Sequence, residues 1–497
     1  MAAPVSTPLT CKVTNMDSPR QDLTEKRSAQ TPRLHANDTA ARLLRSPLGA
    51  VIARPWFDVL AMQLLSRWFF PLSRLWAAAR TAEGSIEKFY REVPMDPVPG
   101  MEDRLREALD RFEGAREAVN AMENRWQEVF FSAEEVSVHQ RVAVEAARRD
   151  RRHAYNMTRR HFRFLTRGRR TPLIKWDTPT PEDVATDYAD ALRHPETAYQ
   201  PPETFPEVAV SRRVPGPVGD EFWIRFPSPS ARMGDTVYAR VYEPTGAVDP
   251  PTIVFGHGVC VEFDHWHGLV DEVFELCRMG IRVVRPEAPW HGRRVPDGRY
   301  GGEAFVAMAP RGALDIFSAE LPEWSVMIDW CRRTGKGPVA VGGSSLGALA
   351  SQLLATRCHD WPARLQPDAM LLITHCGSHE DAAVNGALAR AWRIAEAIEA
   401  AGWTAKNTHE YLSLLDPLNK PIMEPENIVS VLGSKDRVTP FTSGEPLVGK
   451  WGLPPENSFI WRNGHFTVPL ALTRNPAPLI RFREIMERLA CQPTVPG

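Results

Sequence analysis

Gly343-Ser344-Ser345-Leu346-Gly347 is a G-x-S-x-G pattern set between a short β-branched run, Val339 to Val341, and a segment from Leu346 to Ala355 that favours helix. In that strand–turn–helix setting a tight turn holds the central serine in a strained conformation. Small residues two positions to either side let strand and helix approach. Ser345 is the candidate nucleophile. Ser344 is the weaker choice, because Leu346 would take its second small-residue position; the bland alternative is a glycine-rich β-to-α turn. A serine hydroxyl needs a base to take its proton, and the base needs an acid to fix its tautomer. Downstream, the apolar run Ile428 to Leu432 leads into a turn ending in Asp436, and Ser458 to Trp461 leads into a turn ending in His465. The order Ser, Asp, His after successive strands suits acyl transfer, so His465 is the candidate base and Asp436 its orienting acid. A loop histidine and a turn or N-cap aspartate are the competing readings. Asp416 and Asp368 are the reserve acids.

A tetrahedral intermediate also needs backbone donors aimed at its oxyanion. The residue after the nucleophile, Leu346, supplies one N–H. The loop Phe255-Gly256-His257-Gly258-Val259-Cys260 follows an early strand and offers Val259 as the second. Cys260 follows the wrong strand for a nucleophile. His257, Gly258, His291 and Arg293 are assigned to substrate binding. Arg293, with Arg294 and Arg299 in the same Gly-rich loop, would clamp a phosphate or carboxylate, unless these are ordinary exposed loop arginines. The chemistry calls for no metal and no cofactor.

Strands and helices alternate from about Phe222: strands at Thr236–Tyr242, Thr252–Phe255, Ile281–Val284, Val339–Val341, Ala369–Thr374, Ile428–Leu432 and Ser458–Trp461, with helices at Asp264–Met279, Leu314–Thr334 and Leu479–Leu489. This predicts an α/β fold, a mostly parallel sheet with helices on both faces. The long connection from about Cys376 to Glu426 carries an Ala-rich helical pattern and would overhang the serine as a lid that shapes an acyl pocket; a peripheral packing helix is the alternative. The Gly256-His257-Gly258 loop, the Ser345 elbow, Asp436 and His465 together resemble the α/β-hydrolase superfamily over about residues 222 to 490. Pro289-Trp290-His291-Gly292-Arg293-Arg294, Glu303 and Trp330 resemble its α/β-hydrolase-domain-containing protein 18 group. That resemblance implies an intracellular serine hydrolase with a lipid substrate.

At 497 residues, with 43% hydrophobic and 24% charged residues, the chain has room for one large domain and an appendage. The expected division is a disordered tail over 1–45, a mainly helical basic extension and linker over 46–200, and a catalytic domain over 201–497 with its lid at about 376–426. A net charge of −1 gives no general reason to expect nucleic acid. Seven scattered cysteines without a C-x-x-C pair favour reduced thiols and a cytoplasmic setting. No secretory signal and no uninterrupted spanning run is visible. Two stretches stand apart. Residues 55–80 are rich in Trp, Phe and Leu, interrupted by Asp58, Arg67, Pro71 and Arg74. Residues 148–175 hold ten arginines. They read either as helices packing on the catalytic domain with a solvated basic face, or as peripheral attachment to a membrane surface.

The resulting expectation is a serine hydrolase cleaving a carboxylic ester of a hydrophobic or lipid-like acyl group through an acyl-enzyme on Ser345. A thioesterase, amidase or acyltransferase would use the same residues. A non-catalytic scaffold or membrane-binding protein is the reading from another class. A polyhydroxyalkanoate synthase is disfavoured, because the elbow carries serine rather than cysteine.

Overall fold

The computed structural model describes residues 33–34, 46–260, 272–417 and 420–492. All of the 1–45 tail except Arg33 and Leu34, and the first part of the helix expected from Asp264, lie outside the described residues. Among the described residues the sheet has ten strands: β1 (Ala209–Val210), β2 (Val214–Pro215), β3 (Gly219–Pro227), β4 (Thr236–Pro244), β5 (Thr252–Gly256), β6 (Arg282–Pro286), β7 (Val339–Ser344), β8 (Ala369–Ile373), β9 (Ile428–Gly433) and β10 (Ser458–Trp461). Their spatial order is β1-β3-β4-β6-β5-β7-β8-β9-β10, with β2 on β3. From β6 through β10 every pairing is parallel, and β1 to β4 form an antiparallel wing joined to β6.

The apolar runs become strands buried on both faces, as a parallel sheet covered by helices requires. Along β5, β7 and β8 the side chains alternate between two cores. Val254, Val341, Met370 and Leu372 face one that holds Leu314, Trp324 and Leu353. Ile253, Phe255, Ala340, Leu371 and Ile373 face another that holds Val273, Leu276, Phe482 and Ile485. Helices Arg311–Thr334 and Leu346–Arg357 cover the first face, and Glu272–Arg278 and Ala477–Ala490 the second. This is the α/β-hydrolase arrangement. The chain leaves β5 to build β6 on one side and returns to build β7 on the other, so the crevice of the fold opens at the C-terminal ends of β5 and β7.

The N-terminal helices are built into this core. Helix Phe70–Ala82 buries Phe70, Leu75, Trp76 and a run of alanines in the same cluster as Val254 and Trp324. Two residues that look like interruptions in the sequence have structural uses there. Pro71 directly follows the π-helical turn Leu65–Phe69, a local break in the regular hydrogen-bond ladder of the kind that accommodates a proline within a continuous helix. Arg74 is fully buried and pairs with the equally buried Glu303 at 2.5 Å. The charged segment after Met101 forms two helices, Glu102–Phe131 and Val138–Met157, the second opened by a Ser137–Gln140 capping box. The arginine run divides. Arg148 and Arg149 pair with the buried Glu145, and Arg149 also reaches Glu221 at 3.0 Å; Arg159 lies 4.2 Å from the centre of the Trp76 ring. Arg163, Arg167, Arg169 and Arg170 are exposed. No helix among the described residues is long and apolar enough to cross a membrane.

Candidate active site

Ser345 stands between β7 and helix Leu346–Arg357 with φ 55° and ψ −116°, a conformation that a non-glycine residue holds only when its surroundings impose it. They do so through glycines. A Cβ on Gly347 would fall 2.2 Å from the carbonyl carbon of Gly256 on β5, and one on Gly343 would fall 2.4 Å from that of Gly347. Bare backbone lets β5, β7 and the helix meet, and the Gly347 N–H donates to the His257 carbonyl at 3.0 Å. Ser344 turns away and donates to Glu272 at 3.0 Å.

His465 follows β10, and its Nε2 lies 3.1 Å from Ser345 Oγ. Its Nδ1 lies 2.8 Å from Asp436 Oδ2. With Nδ1–H donating to the carboxylate, Nε2 is left as the acceptor facing the serine. Asp436 is buried and held by the turn after β9: its Oδ1 accepts from the N–H groups of Val438 and Thr439 at 2.8 and 3.1 Å. The Thr439 hydroxyl has Asp436 Oδ2 and the Thr374 carbonyl in reach, at 2.9 and 3.0 Å. Both reserve acids lie elsewhere. Asp416 accepts from the His379 N–H and is pushed up to about 6 by burial; Asp368 accepts from Val339 N–H and pairs with Arg332.

Two further residues touch the histidine loop. Thr439 stands three positions after Asp436, a spacing that marks a side-chain turn. Asp58 comes from helix Pro55–Leu64 and carries no local signal. Its carboxylate accepts from Phe466 N–H at 2.7 Å and from the Thr467 hydroxyl at 2.6 Å. Burial raises its pKa against the pull of these bonds. Gly464 lacks the Cβ that would come within 2.5 Å of the Asp58 carboxyl carbon.

The candidate oxyanion donors, Leu346 and Val259, line one cavity with Ser345. The Leu346 N–H, first in its helix, has no intrahelical acceptor. The cavity measures about 70 Å³ and is walled by Phe305, Val306, Ala313, Leu349, Leu388 and Trp392. Its roof comes from the connection between β8 and β9, which folds as four short helices, His379–Ala383, Ala387–Trp392, Ile394–Ala400 and Ala405–Leu412.

The residues assigned to substrate binding are placed differently. His257 is buried, its Nε2 facing the Ala288 N–H and its Nδ1 the Gly258 carbonyl. Burial, with His291 beside it, holds it well below the usual histidine range. His291 accepts from the Cys260 N–H at 3.1 Å. Both imidazoles and Gly258 therefore shape the backbone of the loop that presents Val259. Arg293 lies in a separate cleft, engaged by Glu123 and Glu287. Arg294 pairs with Glu323 and Asp235, and Arg299 donates to the Lys175 carbonyl and lies 3.6 Å from Glu303. The proposed anion clamp is replaced by carboxylates: a loop set against the N-terminal helices gives its guanidinium groups protein partners. Among the described residues no cluster could hold a metal ion, and no disulfide joins the six cysteines that are described.

No family model matches the chain, and no curated protein matches it. Among solved structures it is similar to the acetyl xylan esterase from Paenibacillus sp. R4 (15% identity, TM-score 0.41, covering 62% of this chain and 96% of that one). It is also similar to acetyl xylan esterase 1 from Thermoanaerobacterium sp. JW/SL YS485 (13%, 0.40, 60% and 96%) and to the Pyrobaculum calidifontis esterase (15%, 0.35, 63% and 94%).

Proposed function

We propose that the chain is a serine hydrolase that cleaves a carboxylic ester with a hydrophobic acyl group. The observation that carries this reading is the line Asp436–His465–Ser345, with separations of 2.8 and 3.1 Å, closing on an apolar cavity. His465 takes the Ser345 proton as Oγ attacks the ester carbonyl. The N–H groups of Leu346 and Val259 receive the oxyanion. The imidazolium then gives its proton to the leaving alcohol, and water repeats the sequence to release the acid. The apolar walls favour an acyl chain over a sugar or a charged group. The same line serves a thioester, an amide or transfer to another acceptor; the cavity bears on the acyl group they share, and parallel assays of matched ester, thioester and amide substrates separate them.

The finer resemblance, to the α/β-hydrolase-domain-containing protein 18 group, stands on Pro289–Arg294, Glu303 and Trp330 alone, and the comparisons lend it nothing. Glu303 and Arg293 contact the N-terminal helices through Arg74 and Glu123, so this motif supports an architecture rather than a substrate. The test is Ser345→Ala, assayed on p-nitrophenyl esters and with a fluorophosphonate probe. Loss of both turnover and labelling is expected; a variant that turns over and labels like the wild type refutes the proposal.

A further inference from the structure

Helix Pro55–Leu64 contains no buried residue. It continues through the π-helical turn Leu65–Phe69 into helix Phe70–Ala82. Trp56, Val59, Leu60, Leu64 and Trp68 recur three or four apart, so they share one face, and their exposures are 49%, 62%, 38%, 48% and 40%. Scattered exposed apolar residues are ordinary, but a contiguous stripe with two tryptophans marks an interaction surface. The opposite face is occupied: Met62, Leu65 and Phe69 pack on the core, and Asp58 turns in to the His465 loop.

Cations flank the stripe on both sides. One cleft beside it is lined by Trp68, Trp176, Arg67, Arg167, Arg169 and Arg170. The other is lined by Val59, Met62, Lys435, Arg437, Arg462 and His465. The seven arginine and lysine side chains named here are exposed, and none forms an ion pair with a carboxylate among the described residues. Elsewhere on the surface exposed arginines are commonly paired, as Arg91 with Glu87, Arg106 with Asp103, Arg111 with Glu107 and Arg125 with Glu128. An apolar ridge with tryptophans along it and unneutralised cations to either side is complementary to a surface that is greasy within and anionic at its rim.

We propose that this face docks on an anionic lipid bilayer. Helix Pro55–Leu64 lies in the interfacial plane, Trp56 and Trp68 sit at headgroup depth and the flanking cations meet lipid phosphates. The assignment narrows the two candidate stretches. Residues 70–80 belong to the core, Arg148 and Arg149 to internal ion pairs, and the docking face to residues 56–68 with the cations around them. One cleft of this face reaches His465; only the inference that an ester is delivered from the bilayer rests on the hydrolase reading.

The test is co-sedimentation of the full chain with vesicles, measured without turnover so that the outcome is independent of the hydrolase reading. Binding to vesicles containing phosphatidylglycerol, weak binding to phosphatidylcholine alone, and loss in high salt are expected. Arg167→Glu/Arg169→Glu/Arg170→Glu should weaken binding roughly a hundredfold or more. Trp56→Ser/Leu60→Ser should weaken it at least about tenfold, with the wild-type circular dichroism spectrum and melting profile retained, while Ile480→Ser, at an exposed site on another helix, should leave it unchanged. Equal binding by the wild type and both multiple variants overturns the proposal, as does absence of binding to the anionic vesicles. A wild-type dimer that becomes monomeric with Trp56→Ser/Leu60→Ser would assign the face to a second copy of the chain instead.

Discussion

Asp58→Ala removes the acceptor of the Phe466 N–H and the Thr467 hydroxyl, at the residues that follow His465. Thr467 is fully buried, and its hydroxyl keeps an alternative acceptor only at 3.4 Å, the Gly464 carbonyl. A hydrogen bond to a charged group contributes about 1.5–3 kcal/mol, and a buried donor left without an acceptor costs about 1–3 kcal/mol. With one donor stranded and the other weakened, the variant should be destabilised by about 2–4 kcal/mol. The gap against Gly464 also frees the loop that holds His465 Nε2 at 3.1 Å from Ser345 Oγ. Misplacing a catalytic group by about 1 Å costs on the order of a hundredfold in rate. Asp58 does not line the Ser345 cavity, so kcat for a p-nitrophenyl ester and the rate of fluorophosphonate labelling should fall about 10- to 100-fold with KM little changed. Asp58→Asn keeps an acceptor for Phe466 N–H and should lose only a few-fold. Urea titration followed by circular dichroism gives the stability change and steady-state kinetics the split. Wild-type kcat and urea midpoint in Asp58→Ala would refute the reasoning, and a raised KM at unchanged kcat would move Asp58 into substrate binding.

Ala313→Phe projects a ring into the acyl cavity and should lower kcat/KM for octanoate esters at least about tenfold more than for acetate, read from a p-nitrophenyl ester series; equal losses across the series would place the acyl chain elsewhere. Glu320 is buried beside Glu323, and burial first, then that neighbour, pushes its carboxyl from 4.5 up to about 8. The folded state therefore holds a proton that the unfolded state releases between those values, and stability falls as pH rises through that window. Glu320→Gln removes this loss, so its melting temperature relative to wild type should climb from pH 5 to pH 9, by the equivalent of on the order of 4 kcal/mol; a constant difference would refute the assignment.

Most of the sheet could be read in the chain because a parallel strand buried on both faces announces itself as a local apolar run, and the serine turn because its glycines are adjacent in sequence. The placement of Asp436 and His465 after β9 and β10, in line with Ser345, follows from the rule that strand C-terminal ends present side chains at the crevice. What stayed hidden depends on residues far apart in the chain. Arg148 and Arg149 look like solvated charge until Glu145 and Glu221 close on them, and Arg74 looks like a break in an apolar helix until Glu303 meets it. His257 and His291, assigned from the sequence to substrate binding, accept hydrogen bonds from loop backbone, a contact that composition does not separate from substrate contact. The arginine run and the Trp-rich stretch each joined a buried part to an exposed part, and the boundary within each is set by packing rather than by composition.

Asn463 donates to the Ala53 carbonyl across 410 residues of chain, and Arg474 to that of Ser46 across 428. The earliest described helices and the last histidine loop thus close on each other. A ribosome adding roughly 5–20 residues per second would take on the order of 20–80 s to pass from one side of the Asn463–Ala53 contact to the other. Throughout that interval helix Pro55–Leu64 has no histidine loop to rest on, and the inward side of the helix is as bare as its outward stripe. The nascent chain therefore exposes this Trp- and Leu-rich segment on both sides until the histidine loop that will cover one of them has been made.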